Sequence, residues 1–309
     1  MNTTPNPPLL AVVGPTAIGK TALSIDLALA LNGEIVSADS RQVYRGMDIG
    51  TAKPTASEQA TVPHHLIDVV DPDQDFSLAT YQDRAYATIA DITMRQRIPL
   101  LVGGTGQYLA AVLQGWQIPR VAPQPELRAR LEKEAALLGS EALHARLASI
   151  DPTAAQSILP TNLRRIIRAL EVFEVTGQPI SSQQTMTPPP YTIRTIQLTM
   201  PAEWLYQRID ARVDQMIAMG LLAEVQQLVA HGYAWELPAM SGLGYREFQP
   251  YLAGESSLTE TIQRLKYDTH AYARRQPAWF RRLPNINVLP ADTPDLMKHT
   301  LHLITTHLP

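Results

Sequence analysis

The chain has 309 residues, enough to bury a sizeable core in one large domain or two smaller ones. With 45% hydrophobic and 18% charged residues it reads as globular, and a net charge of −3 excludes a surface coated in positive charge. It has no cysteine, no signal-peptide pattern and no apolar run near the roughly 18 residues of a membrane span, which excludes disulfides, thiolate chemistry and membrane insertion and fits a cytoplasmic setting.

The first predicted element is the apolar strand Leu9–Val13, which runs into Gly14-Pro15-Thr16-Ala17-Ile18-Gly19-Lys20-Thr21. This is a complete G-x-x-x-x-G-K-[ST] match, and Ala22–Leu31 behind it reads as a helix ending at Asn32-Gly33. Such a strand, loop and helix N-terminus line up backbone N–H groups for phosphate, with Lys20 reaching the outer phosphate and the Thr21 hydroxyl placed for Mg2+. The motif leaves open whether the phosphates belong to a nucleotide.

A second strand, Glu34–Ala38, ends at Asp39-Ser40-Arg41-Gln42. Ligands of an open parallel sheet sit outside the carboxyl ends of its strands, so Asp39 arrives on the rim of the phosphate loop. Val43–Pro54 reads as a loop and Leu66–Val70 as a third strand. His64 and His65 before it alternate faces and read as structural, not as a metal pair. A long helix over Ser77–Arg97, a strand over Ile98–Val102, the turn Gly103-Gly104-Thr105-Gly106 and a helix over Gln107–Leu113 complete a doubly wound α/β pattern.

Composition changes after Trp116. Pro119, Pro123 and Pro125 mark a linker, and helical patterns cover about 125–139, 140–150 and 160–177 with no convincing strand. Met186-Thr187-Pro188-Pro189-Pro190 closes the segment. The expected organisation is an α/β phosphate-loop core over 1–118 and 190–309, a parallel sheet flanked by helices, with an all-helical insertion over 119–189. The sheet resumes at Ile193–Met200. Helices are predicted over Ala202–Met219, Leu221–His231, Tyr245–Leu252 and Leu258–Arg282, then a strand over Ile286–Leu289 and a terminal helix.

A phosphate loop by itself points first to a small kinase. Against that, the strand that would carry a metal-holding aspartate ends Leu100-Leu101-Val102-Gly103-Gly104-Thr105, with a hydroxyl in place of the carboxylate, and no compact arginine-rich lid follows the loop. The basic residues are mostly arginine, with only five lysines among 26, and the planar guanidinium suits phosphate and bases.

The whole set of motifs resembles the tRNA dimethylallyltransferase (tRNA isopentenyltransferase) family. The resemblance rests on Gly14–Thr21, on Ser37–Pro54 with its Asp39-Ser40-Arg41-Gln42 and Gly50-Thr51-Ala52-Lys53-Pro54, and on Pro63–Asp68 and Leu101–Thr105. It continues through Arg165–Val172, Gly220–Val225, Gly244–Glu247 and Tyr272–Gln276 with Trp279-Phe280-Arg281, all in family order. The chain departs from the family where methionine is common at Arg41 and glutamine at Arg164.

The resemblance implies transfer of a dimethylallyl group from dimethylallyl diphosphate to N6 of adenosine 37 in a tRNA anticodon stem-loop, by a monomeric, Mg2+-dependent enzyme. The phosphate loop, Gly14 to Thr21, would then grip the diphosphate with Arg212 as a clamp, for which a salt bridge to Asp210 or Asp214 is the competing role. Asp39 would be the general base or anchor for the amine, and Thr105 would hold a substrate, or else cap the helix after it. Ser40, Arg41 and Gln42 would meet the target base and its neighbours. Arg128, Arg164, Arg165 and Arg168 with Ile166 and Ile167, and Arg274, Arg275 and Gln276 in the last long helix, would form the tRNA surface. Three other readings stay open here: prenylation of free adenine nucleotides, a small-molecule or nucleotide kinase, and a non-catalytic phosphate-loop RNA-binding protein.

Overall fold

Apolar strands of five or six residues pair into a sheet that helices cover on both faces. The computed structural model describes residues 6–305. Its strands are β1 (Pro8–Val13), β2 (Gly33–Ala38), β3 (His64–His65), β4 (Ile98–Gly103), β5 (Thr192–Thr199) and β6 (Ile286–Pro290). They lie in the order β3-β2-β4-β1-β5-β6, and every neighbouring pair is parallel. Central β1 and β2 are buried along almost their whole length, as a strand covered on both faces must be. Parallel pairing puts every carboxyl end on one edge, so the turns after β1, β2 and β4 gather there.

The first helices are α1 (Lys20–Leu31), α2 (Ala56–Thr61), α3 (Leu78–Met94) and α4 (Gly106–Leu113). Helix α2 falls where the periodicity predicts no element. Its signal is local: Thr55 and Glu58 form a capping box, the side chain of each bonding the backbone N–H of the other. The third strand, expected over Leu66–Val70, is confined to His64–His65. Leu66 (φ 61) and Asp68 (φ 54) adopt left-handed backbone that no strand accommodates, and Val70 makes only an isolated bridge to Tyr44.

Residues Gly115–Pro188 form a compact unit separate from Met1–Gln114 with Pro189–Pro309. Its ends pair with each other: Trp116 bridges Met186, Gln117 N–H donates to Thr185 C=O, and Thr187 N–H donates to Gly115 C=O. Helices α5 (Pro125–Leu138), α6 (Ser140–Ile150), α7 (Pro152–Ser157), α8 (Leu163–Thr176) and α9 (Ile180–Gln183) enclose a core of Leu131, Leu143, Leu147, Ile166, Leu170 and Val172. The short α7 and α9 escape the sequence pattern, and the buried Asp151 carboxylate ties them together by accepting from Ala154 N–H, Ser181 N–H and the Ser181 hydroxyl. Ile166 and Ile167 sit in this core, fully or almost fully buried, so the expected contact of these two with tRNA is corrected: burying both β-branched chains is what holds α8 in place.

The chain after Pro189 adds α10 (Ala202–Ala218), α11 (Leu221–Ala230), α12 (Gln249–Leu252), α13 (Leu258–Phe280) and α14 (Leu296–Thr305). The predicted helix over Tyr245–Leu252 is instead a single 3-10 turn, Arg246–Phe248, followed by α12. Tyr245 is drawn out of helical geometry into a fully buried position.

Glu34 illustrates how the sheet rim is secured. Its buried carboxylate pairs with Arg95 and with His65 (2.7 Å) and lies 3.2 Å from Arg97. The Arg95 guanidinium is the main cause that holds this carboxyl down at about 2 against the opposing effect of burial. A depressed carboxylate adds stability above pH 4.5 that is lost as pH falls toward 2. Glu34→Gln is therefore expected to cost about 1–3 kcal/mol at pH 7. Melting of both forms between pH 7 and 2 checks this, the difference narrowing with acid.

Candidate active site

The loop between β1 and α1 turns through Ala17 (φ 63) and Gly19 (φ 108), and the helix begins at Lys20. The Lys20 ammonium donates to the carbonyls of Gly14 (3.0 Å) and Pro15 (2.9 Å). Burial first, and the positive charge of Arg212 second, lower its pKa to about 8, with Asp39 opposing. The Thr21 hydroxyl faces the same cavity and makes no hydrogen bond among the described residues. The cavity, about 1200 Å³, takes in Thr16 to Thr21, Asp39, Gln42, the loop from Asp48 to Pro54, Arg208, Arg212, Tyr272 and Gln276.

Asp39 lies at the end of β2, and its two oxygens have different surroundings. Oδ1 accepts from the backbone N–H of Arg41 (2.8 Å) and Gln42 (3.4 Å), which closes the turn. No hydrogen bond reaches Oδ2 among the described residues, so one carboxylate oxygen builds the fold and the other is available to a ligand. Thr105, at the end of neighbouring β4, does not cap α4. Its hydroxyl oxygen accepts from Ser40 N–H (3.0 Å), and its O–H donates to the Ser40 hydroxyl (3.4 Å). Tyr272 lines the same cavity, and burial pushes its phenol up to about 12, so it stays protonated. Beneath this turn, Tyr81 donates to the Ser37 carbonyl (3.0 Å) and stacks on Tyr108 with centroids 3.7 Å apart.

Several expected contact residues are already engaged. Gln42 accepts from the Ser37 hydroxyl (3.0 Å) and donates to the carbonyls of Thr51 and Ala52 (both 3.3 Å), so its amide is held by the protein and is not presented to a base. Gln276, expected at tRNA, is buried: Oε1 accepts from Thr16 N–H (3.0 Å) and Nε2 donates to Gly104 C=O (2.9 Å). It is a strut between the phosphate loop and the end of β4, and a Cβ at position 104 would stand 2.5 Å from that Nε2 and displace it. Arg41 bonds the Pro238 carbonyl and the Ser241 hydroxyl (3.5 Å).

The arginines divide into paired and unpaired. Arg212 makes no salt bridge with Asp210 or Asp214, which pair with His270 (2.8 Å) and Lys266 (2.7 Å) instead. Burial lowers the Arg212 pKa, Asp39 supports its charge, and Arg208 opposes it. Arg208 extends over the phosphate loop, its Nη2 3.7 Å from where a Cβ on Gly19 would be. In the first half of α13, Lys266 and His270 thus pair with acids of α10, and Arg264 pairs with Asp268 of its own helix (2.9 Å). Arg274 and Arg275 remain exposed without an ion pair among the described residues, Arg274 lying over the Tyr206 ring.

In the helical unit, Glu171 has no exposed side-chain surface. Burial drives its carboxyl up, but Arg128 (2.7 and 2.8 Å), the Gln124 amide and Arg168 (2.6 Å) outweigh burial and bring it down to about 2. Arg128 and Arg168, expected at tRNA, thus neutralise a buried acid. Arg164 and Arg165 are exposed and make no ion pair among the described residues.

A six-stranded parallel sheet with a glycine loop entering α1, cations around it and a carboxylate on the adjoining strand end defines a phosphate-loop α/β protein with a helical insertion. The family model described as IPP transferase matches residues 42–283, and the one described as isopentenyl transferase matches residues 7–69. The chain belongs to the IPP transferase family. It is 70% identical over 291 residues to the tRNA dimethylallyltransferase of Roseiflexus castenholzii, covering 94% of this chain and 95% of that protein. Identity to the tRNA dimethylallyltransferase of Chloroflexus aggregans is 62% over 287 residues, 93% of this chain and 97% of the other. The crystal structure of full-length tRNA isopentenylpyrophosphate transferase from Bacillus halodurans superposes with a TM-score of 0.72 at 43% identity, covering 97% of this chain and 95% of that one. A eukaryotic dimethylallyltransferase acting on tRNA gives 0.83 at 28% identity, covering 98% and 80%.

The Gln276 strut makes a direct prediction. Gln276→Leu keeps the volume but strands the Thr16 N–H and the Gly104 carbonyl, an expected loss of roughly 1–3 kcal/mol. Thermal melting checks the loss, and calorimetric titration with pyrophosphate is expected to show weaker binding because the loop is less preorganised.

Proposed function

We propose that the chain transfers the dimethylallyl group of dimethylallyl diphosphate to N6 of adenosine 37 in tRNA, releasing diphosphate. The observation that carries this reading is the single cavity that joins the phosphate loop, with its cations, to the free oxygen of Asp39. The high identity to tRNA dimethylallyltransferases over nearly the whole chain supports it.

The chemistry follows from that placement. The backbone N–H groups of Gly14 to Thr21, with Lys20, Arg212 and Arg208, receive the diphosphate; the ammonium leaves the loop carbonyls for the anion. As N6 forms its bond to the allylic C1, the bond from C1 to the diphosphate oxygen breaks, and the departing charge falls among these cations. The N6 proton passes to Asp39, whose Oδ2 is the available acceptor. Thr105 fixes the Ser40 turn, and the Tyr272 phenol donates toward the same space.

The residues fit Mg2+ shared with a diphosphate. The described residues hold no cluster of three or more His, Asp or Glu side chains that would cage a metal, and Mg2+ commonly takes one or two protein oxygens with phosphates and waters. Thr21 would hold it, and the ion would supply charge to the leaving group.

The tRNA must present a single unstacked base to this cavity. Arg164 and Arg165 on α8 and Arg274 and Arg275 on α13 are the free cations that suit an RNA backbone. No helix of the described residues is long and apolar enough to cross a membrane. The proposed enzyme is cytoplasmic and meets tRNA as a monomer.

The test supplies protein, Mg2+ and radiolabelled dimethylallyl diphosphate with an anticodon stem-loop carrying adenosine at 36 to 38. Parallel arms use the same loop with guanosine at position 37 and free AMP. Label in the first arm alone is expected; label in AMP moves the chain to nucleotide prenylation, and no label with folded protein overturns the reading. Asp39→Asn keeps the oxygen that closes the turn and removes the proton acceptor. Its kcat is expected to fall ~10²–10⁴-fold while the stem-loop Kd stays within about twofold. Replacing Arg164 or Arg165 by Gln is expected to reduce the salt slope of stem-loop binding by about 0.7–0.9 each, read from Kd against ionic strength.

A further inference from the structure

Three sequence blocks have no role in the chemistry described so far: the loop from Met47 to Pro54, Gly220–Val225 and Gly244–Glu247. In the fold they converge on the carboxylate of Glu224, in the first turn of α11. Its Oε2 accepts from the backbone N–H of Asp48 (3.0 Å) and Ile49 (2.7 Å), and its Oε1 from Gly50 N–H (3.1 Å) and the Tyr245 phenol (2.7 Å). Three successive amides turned to one anion, with a buried hydroxyl completing the set, hold a loop far more firmly than neutral contacts do. Gly50 is required here, because a Cβ would stand 2.6 Å from the Tyr245 ring. Lys53 secures the far end of the loop. Its ammonium donates to the Tyr44 carbonyl (3.0 Å) and pairs with Asp48 and Asp68.

The anchored loop is a wall of the cavity, through Asp48, Ile49, Thr51, Ala52 and Lys53. It is also tied to the reacting end. The Gln42 amide holds the carbonyls of Thr51 and Ala52, accepts from the Ser37 hydroxyl, and follows the turn whose backbone N–H groups grip Asp39 Oδ1. The path from Glu224 to Asp39 is therefore a continuous set of hydrogen bonds through loop and turn. Neither Glu224 nor Tyr245 lines the cavity, so their effect on a reaction must pass through what they hold.

We propose that Glu224 is a positioning residue for the transfer reaction: by holding the loop from Met47 to Pro54 it fixes Gln42, and through Gln42 the aim of the Asp39 carboxylate at the acceptor amine. This rests on the function proposed above. A carboxylate displaced by about 1 Å loses on the order of 10²-fold in rate while both substrates still bind.

The experiment measures single-turnover transfer to the stem-loop with enzyme in excess, beside Kd for stem-loop and for pyrophosphate, on protein counted by active-site titration. Wild-type chain is measured first; failure to transfer refutes the proposed function, not this inference. Glu224→Gln keeps the size and one acceptor but turns an NH2 toward the amides. A fall of ~10- to 100-fold in the single-turnover rate is expected, with both Kd values within about twofold. A purely structural role would lower the melting temperature and leave the rate per titrated site unchanged, which overturns the proposal. Gln42→Leu breaks the second link, and the double variant is expected to be no slower than the slower single, since both act on one path. Additive losses overturn it. Where Glu224→Gln does not fold, Tyr245→Phe decides: it removes one hydrogen bond to the same carboxylate, and about a three- to tenfold slower transfer is expected, against no change.

Discussion

Like charges converging on one edge of a parallel sheet constrain this molecule. Lys20, Arg208 and Arg212 face one cavity, and burial raises the cost of the charge on Lys20 and Arg212, which Asp39 offsets in part. The Lys20 ammonium is satisfied by the two loop carbonyls it donates to. The arrangement is a standing demand for an anion. A diphosphate answers it as substrate and more strongly as leaving group, so the electrostatic tension of the free protein and the direction of the chemistry have the same origin.

Around that edge the polar side chains are used almost to capacity. Asp39 gives one oxygen to its turn and keeps one; Thr105 spends its hydroxyl on Ser40; Gln276 spans the phosphate loop and β4; Gln42 ties the Asp39 turn to the loop that follows it. A buried polar network with its bonds made holds atoms to fractions of an ångström. Proton removal from an amine during attack on carbon needs that accuracy, because the base and the electrophile must be in place together.

The helical unit obeys the same rule on a smaller scale. A fully buried carboxylate must be paired, and Glu171 takes Arg128 and Arg168 for this purpose. Arg164 and Arg165 of α8 are exposed and make no ion pair among the described residues. Four arginines of similar appearance in the chain thus stand in two surroundings, decided by which of them the buried carboxylate pairs with.

Local chemistry made much of this protein legible. The glycine loop between an apolar strand and a helix, the strand ending at Asp39, the hydroxyl of Thr105 on the next strand end and the periodicities of α3, α10 and α13 all rest on contacts within a few residues. So does the capping box that marks α2, where the signal was present in Thr55 and Glu58. Tertiary structure decided the rest, because it depends on partners far along the chain. Ile166 and Ile167 became core, Gln276 turned inward to Thr16, and Leu66 and Asp68 left the strand through backbone that only their surroundings stabilise. Glu224, 174 residues from Gly50, gathered three remote blocks into one anchor. A sequence states which groups must be satisfied; only the fold decides which of the available partners satisfies them, since each donor and acceptor can be spent once.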